Sequence, residues 1–200
     1  MARRIACVVE GHGDIEAVPI VVRRIAEQIL PPVIVHVTAP LRTPKSKLVK
    51  PGELERAVEL AARRVAGGGG VLVVLDSDDD CPAQIGPALL ARAAGVRNGL
   101  PVAVVVAKSE FESWFLAAAE SIAGSAGLPV DLEAPPDPES IRGAKEWLTQ
   151  RMLGTRSYSP TLDQPALARQ FDLAMARRAV SFDKFQRETE RLLAQVPDVW

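Results

Sequence analysis

Short unbroken apolar runs, separated by stretches of helical periodicity, constrain this chain more than any other feature. Ile5-Ala6-Cys7-Val8-Val9, Val71-Leu72-Val73-Val74-Leu75 and Val102-Ala103-Val104-Val105-Val106 carry apolar residues on both alternating faces. That is the pattern of parallel strands covered from both sides. Val33 to Thr38, rich in β-branched residues, reads as a further strand after Pro31-Pro32 ends the helix before it. Ile15, Val18, Val22, Ile25 and Ile29 mark an amphipathic helix over 14–30, and Leu54, Val58, Ala61, Ala62 and Val65 another over 51–66. Because Pro19 fits only near a first turn, the first helix is expected to start nearer Glu16 or Ala17. With a helix over 83–97, the alternation β-α-β-α-β-α-β predicts an α/β, Rossmann-like, mainly parallel sheet flanked by helices. Ligands of such sheets bind outside the carboxyl ends of the strands.

Length and charge set the remaining bounds. Two hundred residues, 48% of them hydrophobic, bury one substantial core. A Gly-, Pro- and acid-rich stretch at 124–139 separates an α/β domain, 1–123, from a helical C-terminal extension, 124–200, with helices expected near 139–152, 164–178 and 181–195 and Ser181 as an N-cap. The 24 basic and 25 acidic residues leave a net charge of -1, which selects no partner. Their distribution is uneven. Between Asp76 and Glu139 there are 11 acidic residues against Arg92, Arg97 and Lys108, whereas 141–187 holds nine basic residues against four acidic ones. The basic arm reads either as a surface for phosphates or as ordinary solvated helix faces. Cys7 and Cys81 have neither disulfide-scaffold nor zinc-ligand spacing. No apolar run approaches the roughly 18 residues of a membrane span, so a cytoplasmic protein without membrane contact is expected.

Acidic residues close the apolar runs. Glu10 ends the first, ahead of Gly11-His12-Gly13-Asp14; Asp76-Ser77-Asp78 ends the third; Lys108-Ser109-Glu110-Phe111-Glu112 follows the fourth. Ionised carboxylates converging at neighbouring strand exits repel one another unless a cation lies between them, which points to a divalent metal site. The bland alternative is turn-forming aspartates and helix-capping acids. Asp79 and Asp80 prolong the acidic run, and along an extended segment Asp76, Asp78 and Asp80 would share one side. Glu110 and Glu112, two residues apart, would not share a helix face, so one of them points inward. Lys108 either neutralises charge in the transition state or only balances the two glutamates. Arg42, Lys45, Lys47 and Lys50 form a basic loop with no acid between them, suited to phosphate or simply solvated. His12 could bind metal or carry a proton, His36 reads as structural, and Trp114 and Phe115 as core. Gly11-His12-Gly13 lacks the third glycine of a dinucleotide fingerprint, and Gly67 to Gly70 lacks the context of a phosphate-cradling loop.

An apolar strand ending in Glu10-Gly11, followed by Asp14 and by a later strand ending in Asp76-Ser77-Asp78, resembles the Toprim superfamily of topoisomerases, primases and overcoming-lysogenization-defect nucleases. Glu110-Phe111-Glu112-Ser113-Trp114 and Ser181-Phe182 look most like the Toprim-like family called domain of unknown function 4276. The resemblance implies a Mg²⁺ (or Mn²⁺) site in which Glu10 aids proton transfer or holds metal and Asp76 and Asp78 hold metal. Asp14, Glu110 and Glu112 would complete a second position, with Asp80 a further candidate. Tyr158, the only tyrosine, lies in a turn without the surroundings of a strand-passing nucleophile.

Two ions about 4 Å apart can activate water and stabilise both oxygens of a phosphodiester displacement. The expected activity is therefore Mg²⁺-dependent hydrolysis of DNA or RNA, in phage defence or repair, with Glu10, Asp76, Asp78 and Lys108 as the catalytic set. The alternatives are a noncatalytic module binding metal, nucleic acid or a protein partner from the same operon, and a nucleotide-dependent phosphotransferase using Asp76 and Asp78. A homo-oligomer is compatible with either.

Overall fold

The computed structural model describes residues 2–29 and 34–198. Its elements in chain order are β1 (Ala2–Val9), α1 (Asp14–Ile29), β2 (Ile34–Val37), β3 (Leu41–Arg42), α2 (Lys45–Leu48), α3 (Glu53–Arg64), β4 (Gly70–Asp76), α4 (Pro82–Ala94), β5 (Val102–Ala107), α5 (Ser113–Ala117), α6 (Ala119–Ile122), α7 (Ala144–Arg151), α8 (Pro160–Ala168), α9 (Leu173–Ala176) and α10 (Val180–Gln195). The five strands form one parallel sheet in the order β2-β1-β4-β5, with the short β3 continuing beside β1 past β2. The expected Rossmann-like α/β architecture is therefore present. Pro31-Pro32 and the start of the second expected strand at Val33 lie outside the described residues.

Strand alternation sorts the core into two layers. Ile5, Cys7 and Val9 of β1, Leu72 and Val74 of β4, and Ala103, Val105 and Ala107 of β5 face one side, where α1 and the C-terminal helices pack. Ala6, Val8, Val71, Val73, Leu75, Val102, Val104 and Val106 face the other, under α3 and α4. On the first side α1 lies beside β1 and β2, and α10 covers β4 and β5. A parallel sheet exposed on one face would leave these valines in water, so the C-terminal helices supply a layer that the earlier chain lacks.

Aromatic packing anchors that layer. Trp114 meets Phe111 at 4.4 Å, Phe185 at 4.9 Å and Phe182 edge-on at 5.3 Å between ring centroids. Its indole N–H donates to Ser181 Oγ at 2.8 Å. Ser181 is thus not the N-cap of α10; that place belongs to Ala179, and the carboxylate of buried Glu139 accepts the N–H groups of Val180 (3.0 Å) and Ser181 (2.9 Å) instead.

Three further departures have local causes. The first helix begins at Asp14, because Gly13 C=O accepts the N–H of Ala17 and only one intrahelical bond is lost to Pro19. The helix expected at 164–178 is two, since Pro160 starts α8 early and Asp172 caps α9 by accepting the N–H of Met175 at 2.9 Å. The basic loop at 40–50 contains the single turn of α2.

Candidate functional site

The chain leaves β1 towards β2 on one side and returns to β4 on the other, so strand order reverses between β1 and β4. Their carboxyl ends are where a doubly wound sheet opens a crevice, and there Glu10 follows β1 while Asp76 ends β4. Glu10 Oε2 accepts the Asp76 N–H at 3.1 Å, and Asp76 Oδ1 accepts the Phe111 N–H at 2.9 Å, joining the exits of β1, β4 and β5.

Asp76 shares the alternation of Leu72 and Val74, so its carboxyl lies on the side of α1 and the C-terminal helices. There it meets Asp14, in the first turn of α1, and Glu112, just ahead of α5. Burial first, and then the Asp14 and Glu112 charges, push the Asp76 carboxyl well above the usual aspartate range. Burial also raises Glu112, opposed by the ammonium of Lys145. Lys145 Nζ stands 3.1 Å from Glu112 Oε2 and 3.4 Å from Glu110 Oε1. Burial works against its charge, yet Glu112, Asp76 and Glu110 outweigh that and hold it above the ordinary lysine value. Tyr158 donates its hydroxyl to Glu112 Oε1 at 3.1 Å, and Gln164 its amide to Asp14 Oδ1 at 2.6 Å. Asp14 Oδ2 accepts the Gly11 N–H at 2.7 Å.

A second acidic group sits beside the first. The chain turns at Asp78, where φ is +48°, and the Asp80 N–H closes the turn on Ser77 C=O. This breaks the extended alternation from which a shared side for Asp76, Asp78 and Asp80 was expected. Asp78 and Asp80 instead reach Lys45 Nζ at 3.0 and 2.9 Å, and Asp79 pairs with Arg142 at the surface. Lys45 also donates to Ser77 C=O, so it braces the acidic turn. Glu10 lies between the two groups: burial raises its carboxyl, the N–H groups of Asp76 and Lys45 lower it, and the Asp78 charge raises it again.

The structure therefore brings Glu10, Asp14, Asp76 and Glu112 together, with Glu110 at the rim, and sets Asp78 and Asp80 in an adjoining group. Lys108 has an exposed side chain, and its backbone N–H donates to Ser181 Oγ at 3.1 Å. His12 and His36 are both exposed, and Trp114 and Phe115 are fully buried. Lys145, Tyr158 and Gln164 entered the site unforeseen from sequence; the basic character of 141–187 was the one signal for the first of them. Four residues of that basic arm are spent internally, Arg156 on Asp163, Arg177 and Arg187 on Asp183, and Arg178 on Glu120.

All the candidate donors are hard carboxylate oxygens, the chemistry of Mg²⁺ or Mn²⁺ rather than of softer metals. Asp76, Glu110 and Glu112 share the cation Lys145, with Asp14 and Glu10 beside Asp76, so in charge and donor type the group fits a divalent ion. Among the described residues, however, no three His, Cys, Asp or Glu side chains are gathered closely enough to form a ready-made ligand set.

Fold and site together define a Rossmann-like α/β protein with a group of largely buried carboxylates at its strand-order reversal. The family model described as Domain of unknown function (DUF4276) matches residues 9–190, and the chain belongs to that family. No curated protein and no solved structure shows a significant match. No helix among the described residues is long and apolar enough to cross a membrane.

Proposed function

We infer that the chain is a Toprim-like, Mg²⁺- or Mn²⁺-dependent phosphodiesterase acting on nucleic acid. One observation carries this reading: two carboxylate groups that share Glu10 lie at the switch point of the sheet, and each is bridged by a lysine ammonium. Lys145 and Lys45 mark two neighbouring places where the chain itself demands positive charge. Glu10, Asp14, Asp76 and Glu112 would hold an ion at the inner place, and Glu10, Asp78 and Asp80 one at the outer. Bound there, the ions supply an activated water and neutralise the phosphodiester oxygens. Glu10, raised by burial, is suited to passing a proton. Lys145 opposes charge that builds near Glu112, and the Phe111 N–H holds Asp76 in its orientation.

Asp76→Asn tests the reading. The amide oxygen can keep the Phe111 N–H bond, and replacing a carboxyl that burial disfavours should leave melting at neutral pH unchanged or raised. Cleavage of DNA or RNA under Mg²⁺ or Mn²⁺ should fall by about 10²-fold or more and vanish with chelator. Equal cleavage by variant and wild type refutes the assignment.

A second reading, a noncatalytic acidic module, is favoured by the lack of a ready-made ligand set among the described residues and by the internal partners of Asp14 and Glu112. Calorimetric Mg²⁺ binding with no turnover on any nucleic acid would select it.

A further inference from the structure

We propose that a cleft beside the acidic site, between α1, the exit of β2 and the end of α8, holds a backbone phosphate of the nucleic-acid strand some nucleotides away from the reacting one. This rests on the phosphodiesterase reading and names part of its substrate-binding surface. The cleft has a volume of about 280 Å³, with Ile15, Pro19 and Ile20 as its apolar floor and Arg23, Thr38 and Arg169 on its walls.

Two observations carry it. Arg23 and Arg169 are both exposed, and among the described residues neither forms an ion pair, unlike most arginines of the C-terminal arm. Two guanidinium groups lining one cleft repel each other unless an anion lies between them, and their planar forks match phosphate oxygens. Thr38 lines the same wall, with its Oγ1 screened from the cleft. The cleft also starts where the acidic site ends, since Ile15 and Glu16 follow Asp14 directly on α1.

Position sets the register. Arg23 lies nine residues beyond Asp14, about 13 Å along the helix axis at about 1.5 Å per residue. Phosphates of one strand advance by about 3.4 Å each in a duplex, which places the cleft roughly four nucleotides from the reacting bond. Glu16, the acidic residue of the lining, sits at the end nearest Asp14 and turns an anion towards the two arginines. The apolar floor suits sugar faces.

The test measures binding without turnover. Anisotropy of labelled 20-residue single strands and duplexes in chelator, across a salt series, is compared for wild type, Arg23→Ala/Arg169→Ala, Thr38→Val and Arg56→Ala. Arg56 is exposed, pairs with Glu53 on α3 and is far in sequence from the cleft, and controls for loss of a surface arginine elsewhere. The double variant should bind roughly tenfold more weakly, with the slope of log K against log salt shallower by about 1. Thr38→Val, whose hydroxyl is screened from the cleft, and Arg56→Ala should leave both unchanged. A double variant equal to wild type in affinity and slope, while wild type binds and cleaves, overturns this inference alone. Equal weakening by Arg56→Ala also overturns it. Wild type that neither binds nor cleaves overturns it together with the phosphodiesterase reading. Melting curves confirm that the exposed substitutions fold.

Discussion

Lys145→Met removes the cation on which the inner acidic group depends. Its ammonium lies 3.1 Å from Glu112 Oε2, and the Glu112 side chain is 1% exposed. A unit pair at that distance is worth about 5 kcal/mol at an effective dielectric of about 20 and about 1.3 kcal/mol in water. The lysine side chain is 34% exposed, so solvent screens part of the attraction, and about 2 to 3 kcal/mol is the expected loss at pH 7.5. For a chain of this length that lowers Tm by roughly 5 to 10 °C. The pH dependence has a definite sign. Burial holds the folded-state values of Asp76 and Glu112 above their unfolded ones, so the native state binds more protons as pH falls. Their cost to stability is present at neutral pH and disappears on acidification through those raised values. Lys145, raised above its own ordinary value, contributes fully throughout that range. The deficit of Lys145→Met should therefore shrink between pH 7.5 and pH 5, and Lys145→Arg should recover most of it. Thermal melts followed by circular dichroism, in chelator at both pH values, measure this. An unchanged Tm at pH 7.5, or a deficit equal at both, refutes the charge account.

Two further substitutions probe how the C-terminal layer is fastened. Glu139→Ala takes the acceptor from two N–H groups in the first turn of α10 and should cost about 2 to 4 kcal/mol, with Glu139→Gln intermediate; melts that match wild type would show that the cap contributes nothing. Gly13→Ala would put a Cβ 2.5 Å from the Pro160 carbonyl oxygen and against the Gln164 side chain. It should destabilise by about 1 to 3 kcal/mol and lower any metal-dependent activity through Asp14, which an unaltered melt and rate would contradict.

The strands and their polarity were legible because they depend on local pattern. Val71 to Leu75 reads as a doubly covered strand without knowledge of its neighbours, and strand polarity then sends Asp76 to the same edge as Glu10. What lay beyond local pattern was not legible. The extended alternation that would put Asp78 beside Asp76 fails at one backbone angle, the positive φ of Asp78, which nothing in an acidic run announces. The split of the expected 164–178 helix turns on the cap at Asp172, which could equally have been a mid-helix acid. The partners of the inner carboxylates come from far along the chain: Tyr158 is 46 residues from Glu112, and Gln164 is 150 from Asp14. Such pairings follow only once the C-terminal helices are placed.

That placement links stability to the site. The alternation Ala103, Val105, Ala107 requires an apolar cover on one face of β5, and α10 provides it through Phe182, Phe185 and Leu192. The face so covered is the one towards which Asp76 points. A layer demanded by hydrophobic burial thus also brings Lys145 to Glu110 and Glu112, and Tyr158 and Gln164 into hydrogen bonds with Glu112 and Asp14. Residues that look like an appended tail in the sequence are therefore coupled to the carboxylates around Asp76. The outer group is tied to the same region, since the Asp78 N–H donates to Ser109 C=O, the Ser109 hydroxyl donates to Glu139 C=O, and Asp79 pairs with Arg142.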